Sequence, residues 1–243
     1  SMTEILFAVG AGSEVVGVCA PADYPQGART IRQVASWERT DVEGIVALAP
    51  GACFTVSGMQ GQQVIQPLRR LGIPVVVYPM RDLDDLWRCM EDVGRRTDHG
   101  AQAEKVVADL RRRVASASVP GEGRRPSALV VVGLEPLVAA APDSFLNDVL
   151  AAAGYRNALR ARGEAYPVLS LETVAASSPD AVVFSSGEIP PQSAARFLSD
   201  LRELLGRPVK TIMVPADLLV RPGPRTVEAI EILAKARRGE AAP

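Results

Sequence analysis

Val42-Glu43-Gly44-Ile45-Val46-Ala47-Leu48-Ala49-Pro50-Gly51-Ala52-Cys53-Phe54-Thr55-Val56-Ser57-Gly58 decides how the chain is read, because its pattern returns as Leu171-Glu172-Thr173-Val174-Ala175-Ala176-Ser177-Ser178-Pro179-Asp180-Ala181-Val182-Val183-Phe184-Ser185-Ser186-Gly187. In both copies a Glu opens a short apolar helix, a Pro follows, a strand runs on and a Gly closes it. The echo continues in Leu68-Arg69-Arg70-Leu71-Gly72-Ile73-Pro74-Val75, which returns as Leu201-Arg202-Glu203-Leu204-Leu205-Gly206-Arg207-Pro208-Val209 with one residue inserted. Repeats of about 20 to 50 residues point to solenoids. A single duplication at this longer period points instead to two similar lobes with a cleft between them, and such clefts are where small molecules bind.

Composition fits that reading. The chain has 243 residues, 47% hydrophobic and 23% charged, enough for one large core or two modest ones. With 27 basic and 28 acidic residues its net charge is -1, so no field draws it to nucleic acid or an anionic membrane. No apolar run reaches the roughly 18 residues that span a bilayer. The charged start and cleavage site of a signal peptide are not seen. Cys19, Cys53 and Cys89 lie in the first half without CxxC spacing, so zinc and dithiol chemistry are not expected. They read as buried small hydrophobes, with a Cys19–Cys53 disulfide as the alternative.

Alternating elements follow from the pattern. Helix is expected over Thr3 to Val9, Val42 to Leu48 and Gln62 to Leu71, and strand over Glu14 to Cys19, Ala52 to Val56 and Pro74 to Tyr78. Short apolar runs between helices are typical of parallel strands buried on both faces. Asp82 to Arg96 and Ala101 to Ala117 then carry helical periodicity without a strand, broken at Thr97-Asp98-His99-Gly100. The second lobe resumes with strands at Ala128 to Val132, Leu137 to Ala140, Ala181 to Phe184 and Thr211 to Val214. Helices are expected at Ser144 to Ala153, Leu171 to Ala176, Gln192 to Leu205 and Arg225 to Arg237. The expected architecture is therefore two α/β lobes, residues 1–80 and 119–243, joined by a long helical strut over 81–118.

Catalytic motifs are scarce. Gly10-Ala11-Gly12 begins like a dinucleotide fingerprint, but the next Gly is Gly17 and the segment runs from helix to strand. His99, the sole histidine, sits in a charged helix break and reads as a solvated cap residue, which also excludes a Ser-His-Asp triad. Asp84-Asp85 and Glu91-Asp92 read as a solvated helix face. No nucleophile, base and oxyanion hole assemble, so catalysis, a metal and a resident cofactor are not expected.

A family resemblance emerges from Ser1 to Gly12, Val15-Val16-Gly17-Val18, Asp23-Tyr24-Pro25, Gln33-Val34-Ala35-Ser36-Trp37 and Glu43 to Pro50. It continues in Asp143-Ser144-Phe145-Leu146-Asn147-Asp148-Val149-Leu150, Gly154, Asn157, Glu172 and Pro179-Asp180. These resemble the substrate-binding proteins of ABC importers for cobalamin, haem and iron-siderophores, and the Asp-Tyr-Pro and Val-x-x-Trp elements most resemble the cobalamin-binding branch. The class III fold of that family, two α/β lobes on a helical strut, is implied over nearly the whole chain.

The resemblance implies roles. Glu43 and Glu172 match the surface glutamates, one per lobe, that pair with arginines of the transporter's membrane subunits. Helix starts independently favour negative charge, and a pseudo-symmetric pair of anions suits a two-fold symmetric partner. Trp37 matches a tryptophan that packs on the corrin, Tyr166 an aromatic of the opposite lobe and Arg221 a cleft arginine. Tyr24 and Tyr166 are the candidates for an axial ligand if the cargo is haem. Where family members often place aromatics this chain has Pro21, Val56, Val138 and Leu218, and its aromatic content is 5%, which leaves another tetrapyrrole or a smaller ligand open. Family members also carry a strand ahead of the segment matching Ser1. The expected function is delivery of a cobalamin-like corrinoid to an ABC importer by a monomer that does no chemistry, with haem or a ferric siderophore as alternative. The expected location is periplasmic or otherwise extracytoplasmic, free or lipid-anchored in the full-length precursor.

Overall fold

The computed structural model describes residues 1–36, 39–57, 62–118 and 125–240. The chain divides into two compact units, Ser1–Met80 with Asp84–Asp109 and Arg81–Leu83 with Leu110–Pro243.

The first unit opens with helix α1 (Met2–Ala8), whose Ile5, together with Val9 one turn on, is fully buried. A short 3-10 turn at Gly12–Glu14 follows, so the strand expected from Glu14 shrinks to β1 (Val18–Cys19). This pairs in parallel with β2 (Gln33–Ala35). Then come α2 (Val42–Ala47), β3 (Cys53–Val56), α3 (Gln62–Arg70) and β4 (Val75–Tyr78). β3 and β4 are parallel with Cys53 opposite Val75 and Val56 opposite Tyr78. The four strands form two separate pairs rather than one sheet. Val34, Ile45, Ile65, Leu68, Ile73 and Val75 close one core, and Val18, Ala22 and Ala28 a smaller one. Cys19, Cys53 and Cys89 are all free thiols, so the Cys19–Cys53 alternative does not form.

Helix α4 (Leu83–Arg96) buries Leu86, Trp87, Met90 and Val93, the face its periodicity marks. α5 (Gly100–Ala117) follows after Asp98, which is left-handed at φ +57°. The two helices touch at Gly94, where a Cβ would collide with the Ala103 methyl. His99 stands just ahead of α5, where its carbonyl accepts from Ala103 N at 3.0 Å, and its partly exposed ring lies with Nε2 2.6 Å from Glu14 Oε1. The segment expected as a separate strut is thus shared, Asp84–Asp109 with the first unit and Leu110 onward with the second.

The second unit is built on β5 (Ser127–Leu134), β6 (Leu137–Ala139), α6 (Phe145–Ala152), β7 (Arg156–Asn157), α7 (Leu171–Ser177), β8 (Ala181–Ser186), α8 (Pro191–Leu205), β9 (Lys210–Pro215), α9 (Ala216–Leu219) and α10 (Thr226–Arg238). The strand order is β6-β5-β8-β9, with β7 added beside the start of β5. β5, β8 and β9 run parallel and β6 antiparallel. β5 and β8 are near-continuous apolar runs because the sheet is covered on both faces. Leu129, Val131, Val182, Phe184 and Leu201 form the core, with Phe197 edge-on to Phe184 at 5.9 Å.

The sequence repeat survives to the level of single bonds. α2-β3-α3-β4 and α7-β8-α8-β9 each deliver a parallel strand pair. Gly72 (φ +79°) and Gly206 (φ +62°) stop α3 and α8 in the left-handed conformation that glycine adopts without strain. Just before them, Arg69 Nη2 donates to Val75 O at 2.8 Å and Arg202 Nη2 to the equivalent Val209 O at 3.3 Å. The residue ahead of each Pro is left-handed too, Ala49 at φ +46° and Ser178 at +47°, a conformation costing an L-residue about 1–2 kcal/mol. Ala49→Gly should therefore stabilise the protein by about 0.5–1 kcal/mol after glycine's entropy cost. Ser178→Gly should gain less, because Ser178 Oγ accepts a 3.0 Å bond from Arg207 Nη2. Urea midpoints at unchanged slope check this, and an Ala49→Gly protein no more stable than wild type would show that the turn is unstrained.

Candidate functional site

Glu43 and Glu172 stand at matching places on matching helices. Asp41 caps α2, its Oδ1 accepting from Gly44 N at 2.8 Å, and Ser170 caps α7, its Oγ accepting from Thr173 N at 3.2 Å. Each Glu is the second residue of its helix and is exposed. There the unpaired N–H groups of the first turn favour an anion. For Glu172 its own backbone N–H, and then the Ser170 hydroxyl, hold the carboxyl below its ordinary range. The duplication thus builds two solvent-facing carboxylates on capped helix starts.

Tyr166 is carried on a segment that runs along β6. Ala141 N donates to Ala165 O at 2.9 Å and Leu169 N to Leu137 O at 2.9 Å, with Val138 bridged antiparallel to Val168. Tyr166 is 40% exposed and Val168 65%. Loss of water around the Tyr166 hydroxyl raises its pKa above the usual phenol value. Arg221 follows α9, its Nη1 3.0 Å from Asp217 Oδ1 one helical turn back, with 28% of its side chain exposed. Asp217, the partner of Arg221, stands at the i, i+4 spacing of a helical ion pair, a signal already present in the sequence. Tyr24 is 47% exposed beside a cis Tyr24-Pro25 bond, in a loop where Arg29 Nε donates to Asp23 O at 2.9 Å. Trp37 lies outside the described residues. Tyr24 and Glu43 belong to the first unit, and Tyr166, Glu172 and Arg221 to the second.

A family model described as periplasmic binding protein matches residues 1–204. The chain belongs to that family. It is 27% identical over 232 residues to the vitamin B12-binding protein of Pectobacterium carotovorum subsp. carotovorum (strain PC1), covering 94% of this chain and 82% of that one. Among solved structures it resembles the periplasmic vitamin B12 binding protein BtuF of Vibrio cholerae, with TM-score 0.81, 22% identity, and coverage of 97% of this chain and 92% of that one. A periplasmic heme binding protein from Pseudomonas aeruginosa is as similar, with TM-score 0.81, 26% identity, and coverage of 100% and 91%. The fold is therefore the class III periplasmic-binding-protein fold, with α/β lobes linked through long helices. Members of this family bind and carry a ligand outside the cytoplasm and are not enzymes. No described helix is long and apolar enough to cross a membrane.

This periplasmic binding protein also carries, in its first unit, an open groove of about 310 Å³ lined by Tyr78, Asp85, Arg88, Cys89, Asp92 and Arg95. Asp85, Arg88, Asp92 and Arg95 are paired among themselves. Arg88 Nη2 lies 2.7 Å from Asp85 Oδ1 and Arg95 Nη2 3.2 Å from Asp92 Oδ1, while Tyr78 Oη donates to Asp92 Oδ2 at 2.8 Å and Arg96 Nε to the same oxygen at 2.6 Å. Burial pushes the Cys89 thiol up to about 12, so no thiolate is on offer. The groove reads as structural. Burial alone would raise the Asp92 carboxyl, but hydrogen bonds from Arg96 and Tyr78, with help from Arg95, outweigh it and hold the group below its usual range. A carboxylate depressed in the folded state adds stability above its unfolded pKa, about 4, and loses it as pH falls through the folded value. Asp92→Asn should thus be less stable than wild type by about 0.5–1 kcal/mol at pH 7, allowing for solvent screening. The gap should narrow at pH 3; urea midpoints at the two pH values test it, and an unchanged gap would rule this linkage out.

Proposed function

We propose that this protein is the substrate-binding component of an ABC importer that takes up a cobalamin-like corrinoid and presents it to the membrane subunits. The observation that carries the proposal is the duplicated, capped helix start that exposes Glu43 and Glu172. Two carboxylates on equivalent frames are what a two-fold symmetric receptor with cationic sockets would recognise. The ligand reading is supported by the relatives named for vitamin B12, which match along nearly the whole chain. In this reading Trp37, Tyr24, Tyr166 and Arg221 contact the ligand. Flat aromatics suit the apolar faces of a corrin and a polar group suits its amide edge. The protein acts as a monomer, free in the periplasm or tethered by a lipid on its full-length precursor, and no resident cofactor takes part.

Haem is the second reading, favoured by the equal likeness to a heme binding protein and by Tyr24 and Tyr166, both partly exposed tyrosines. Against it, the desolvated Tyr166 is reluctant to become the phenolate that iron would need, and His99 is engaged with Glu14. A ferric siderophore would call for several free cations, whereas Arg221 is already paired with Asp217.

Cyanocobalamin should stay with the protein through gel filtration, read from its own absorption, and haem in a parallel run should not. No heat and no retention at tens of micromolar cyanocobalamin, with the protein folded, would overturn the corrinoid reading. Trp37→Ala and Tyr166→Ala should each weaken binding by about 1–3 kcal/mol, as loss of a buried aromatic anchor does, with the urea midpoint little changed. A Trp37→Ala protein of unchanged affinity and much reduced stability would make Trp37 a core residue.

Glu43→Arg with Glu172→Arg should abolish stimulation of the cognate importer's ATPase while free ligand binding stays normal. Alanine at both positions should do less harm, because only reversal adds repulsion against the receptor's cations. Full stimulation by the double reversal would remove these residues from docking.

A further inference from the structure

We propose that Asp143 is the positioning residue for the segment that presents Tyr166, and through it sets how tightly the ligand is held. This rests on the reading of Tyr166 as a ligand contact.

Tyr166 follows Ala165, whose carbonyl receives from Ala141 N at 2.9 Å, and precedes Pro167, where the hold on β6 is weaker. Pro167 has no N–H to give, and its carbonyl receives from Ala139 N at a long 3.4 Å. Upstream, residues 160–164 are all exposed, so no buried side chain fixes their path. What fastens them is one carboxylate used at both oxygens. Arg162 Nη1 donates to Asp143 Oδ1 at 3.0 Å, and the next residue's backbone, Gly163 N, donates to Asp143 Oδ2 at 2.8 Å. Gly163 is left-handed at φ +125°, where the chain swings back toward β6.

The carboxylate itself stands on rigid ground. Asp143 is followed by Ser144, the buried N-cap of α6, whose Oγ donates to Ala141 O at 2.6 Å and accepts from Asn147 N at 3.2 Å. At the root of the loop Asn157 Nδ2 donates to Ala140 O at 3.0 Å and Asn157 Oδ1 accepts from Leu159 N at 3.0 Å. The path from Leu159 to Tyr166 is therefore pinned at its root by Asn157, in its middle by Asp143 and at its end by β6.

Exposure decides what such a clasp can do. An ion pair whose arginine side chain is 77% exposed adds little to global stability, but a charge-assisted bond to a backbone N–H fixes a loop conformation. A loop fixed before binding need not be ordered during it, and that gain is seen as affinity. Asp143 should therefore matter much more for ligand binding than for unfolding.

The test uses the full chain and cyanocobalamin. Asp143→Ala is expected to weaken binding about five- to twentyfold, to speed hydrogen exchange at Gly163 N, and to leave the melting temperature nearly unchanged. Asp143→Asn, which keeps one carbonyl acceptor for Gly163 N, should fall between the two. In a Tyr166→Ala background Asp143→Ala should cost no further affinity, since its effect runs through the tyrosine. An equal loss in that background, or unchanged affinity alongside faster exchange at Gly163, overturns the positioning role while leaving Tyr166 a ligand contact. If Tyr166→Ala alone leaves cyanocobalamin binding intact, the contact reading fails and the proposal falls with it. Should Asp143→Ala disturb the cap of α6 and unfold, Arg162→Ala removes the exposed arm of the clasp instead; it must show a smaller loss of the same kind, and full affinity there counts against the proposal.

Discussion

Everything in this protein depends on stopping a helix at the right residue so that the next strand enters its sheet in register. Parallel strands can be joined only through a crossover, and a slip of one residue at its end would turn every side chain of the strand to the opposite face. Both copies meet that demand with the same devices. A left-handed residue precedes the Pro at Ala49 and Ser178, a left-handed glycine ends the next helix at Gly72 and Gly206, and an arginine is tied to the first carbonyl region of the following strand. α3 and α8 stop on the same construction. The buried Val75 of β4 and the buried Val182 and Val183 of β8 are consequences of these stops.

The same logic places charge. A helix that starts cleanly leaves N–H groups facing outward, and an acidic side chain in that first turn is held by them at little cost in solvation. Glu43 and Glu172 are of this kind. The charges around Asp92 are of the opposite kind, since arginines and a tyrosine hydroxyl consume its acceptor capacity. Charge that is exposed and unspent can recognise a partner, whereas charge already satisfied serves the fold.

How much could be read from residues alone followed from the length of each pattern. α4, α5 and α8 repeat their apolar face over several turns, and β5 and β8 are long apolar runs, so all were visible. The apolar Val15–Val18 stretch suggested a strand from Glu14, but Gly12–Glu14 coils into a 3-10 turn and only Val18–Cys19 finds a partner. β2, β7 and α9 are two to four residues long, too short for any period to register. Among site residues, Glu43 and Glu172 could be argued from the repeat and helix electrostatics. Tyr24, Trp37, Tyr166 and Arg221 rested on family likeness, because a single exposed aromatic or arginine leaves no periodic trace. Asp143 and Arg162 are 19 positions apart, and their pairing exists only once the loop has turned back.

Helix α5 begins in one compact unit and ends in the other, and the division falls between Asp109 and Leu110 without a break in its hydrogen-bonded ladder. Neither half of the protein therefore owns a complete set of elements. Expressed alone, the first would trail a helix whose last carbonyls have no cap, and the second would begin in mid-turn with orphaned amides. The two copies of the repeat lie in different units, and a single continuous helix runs from the first unit into the second.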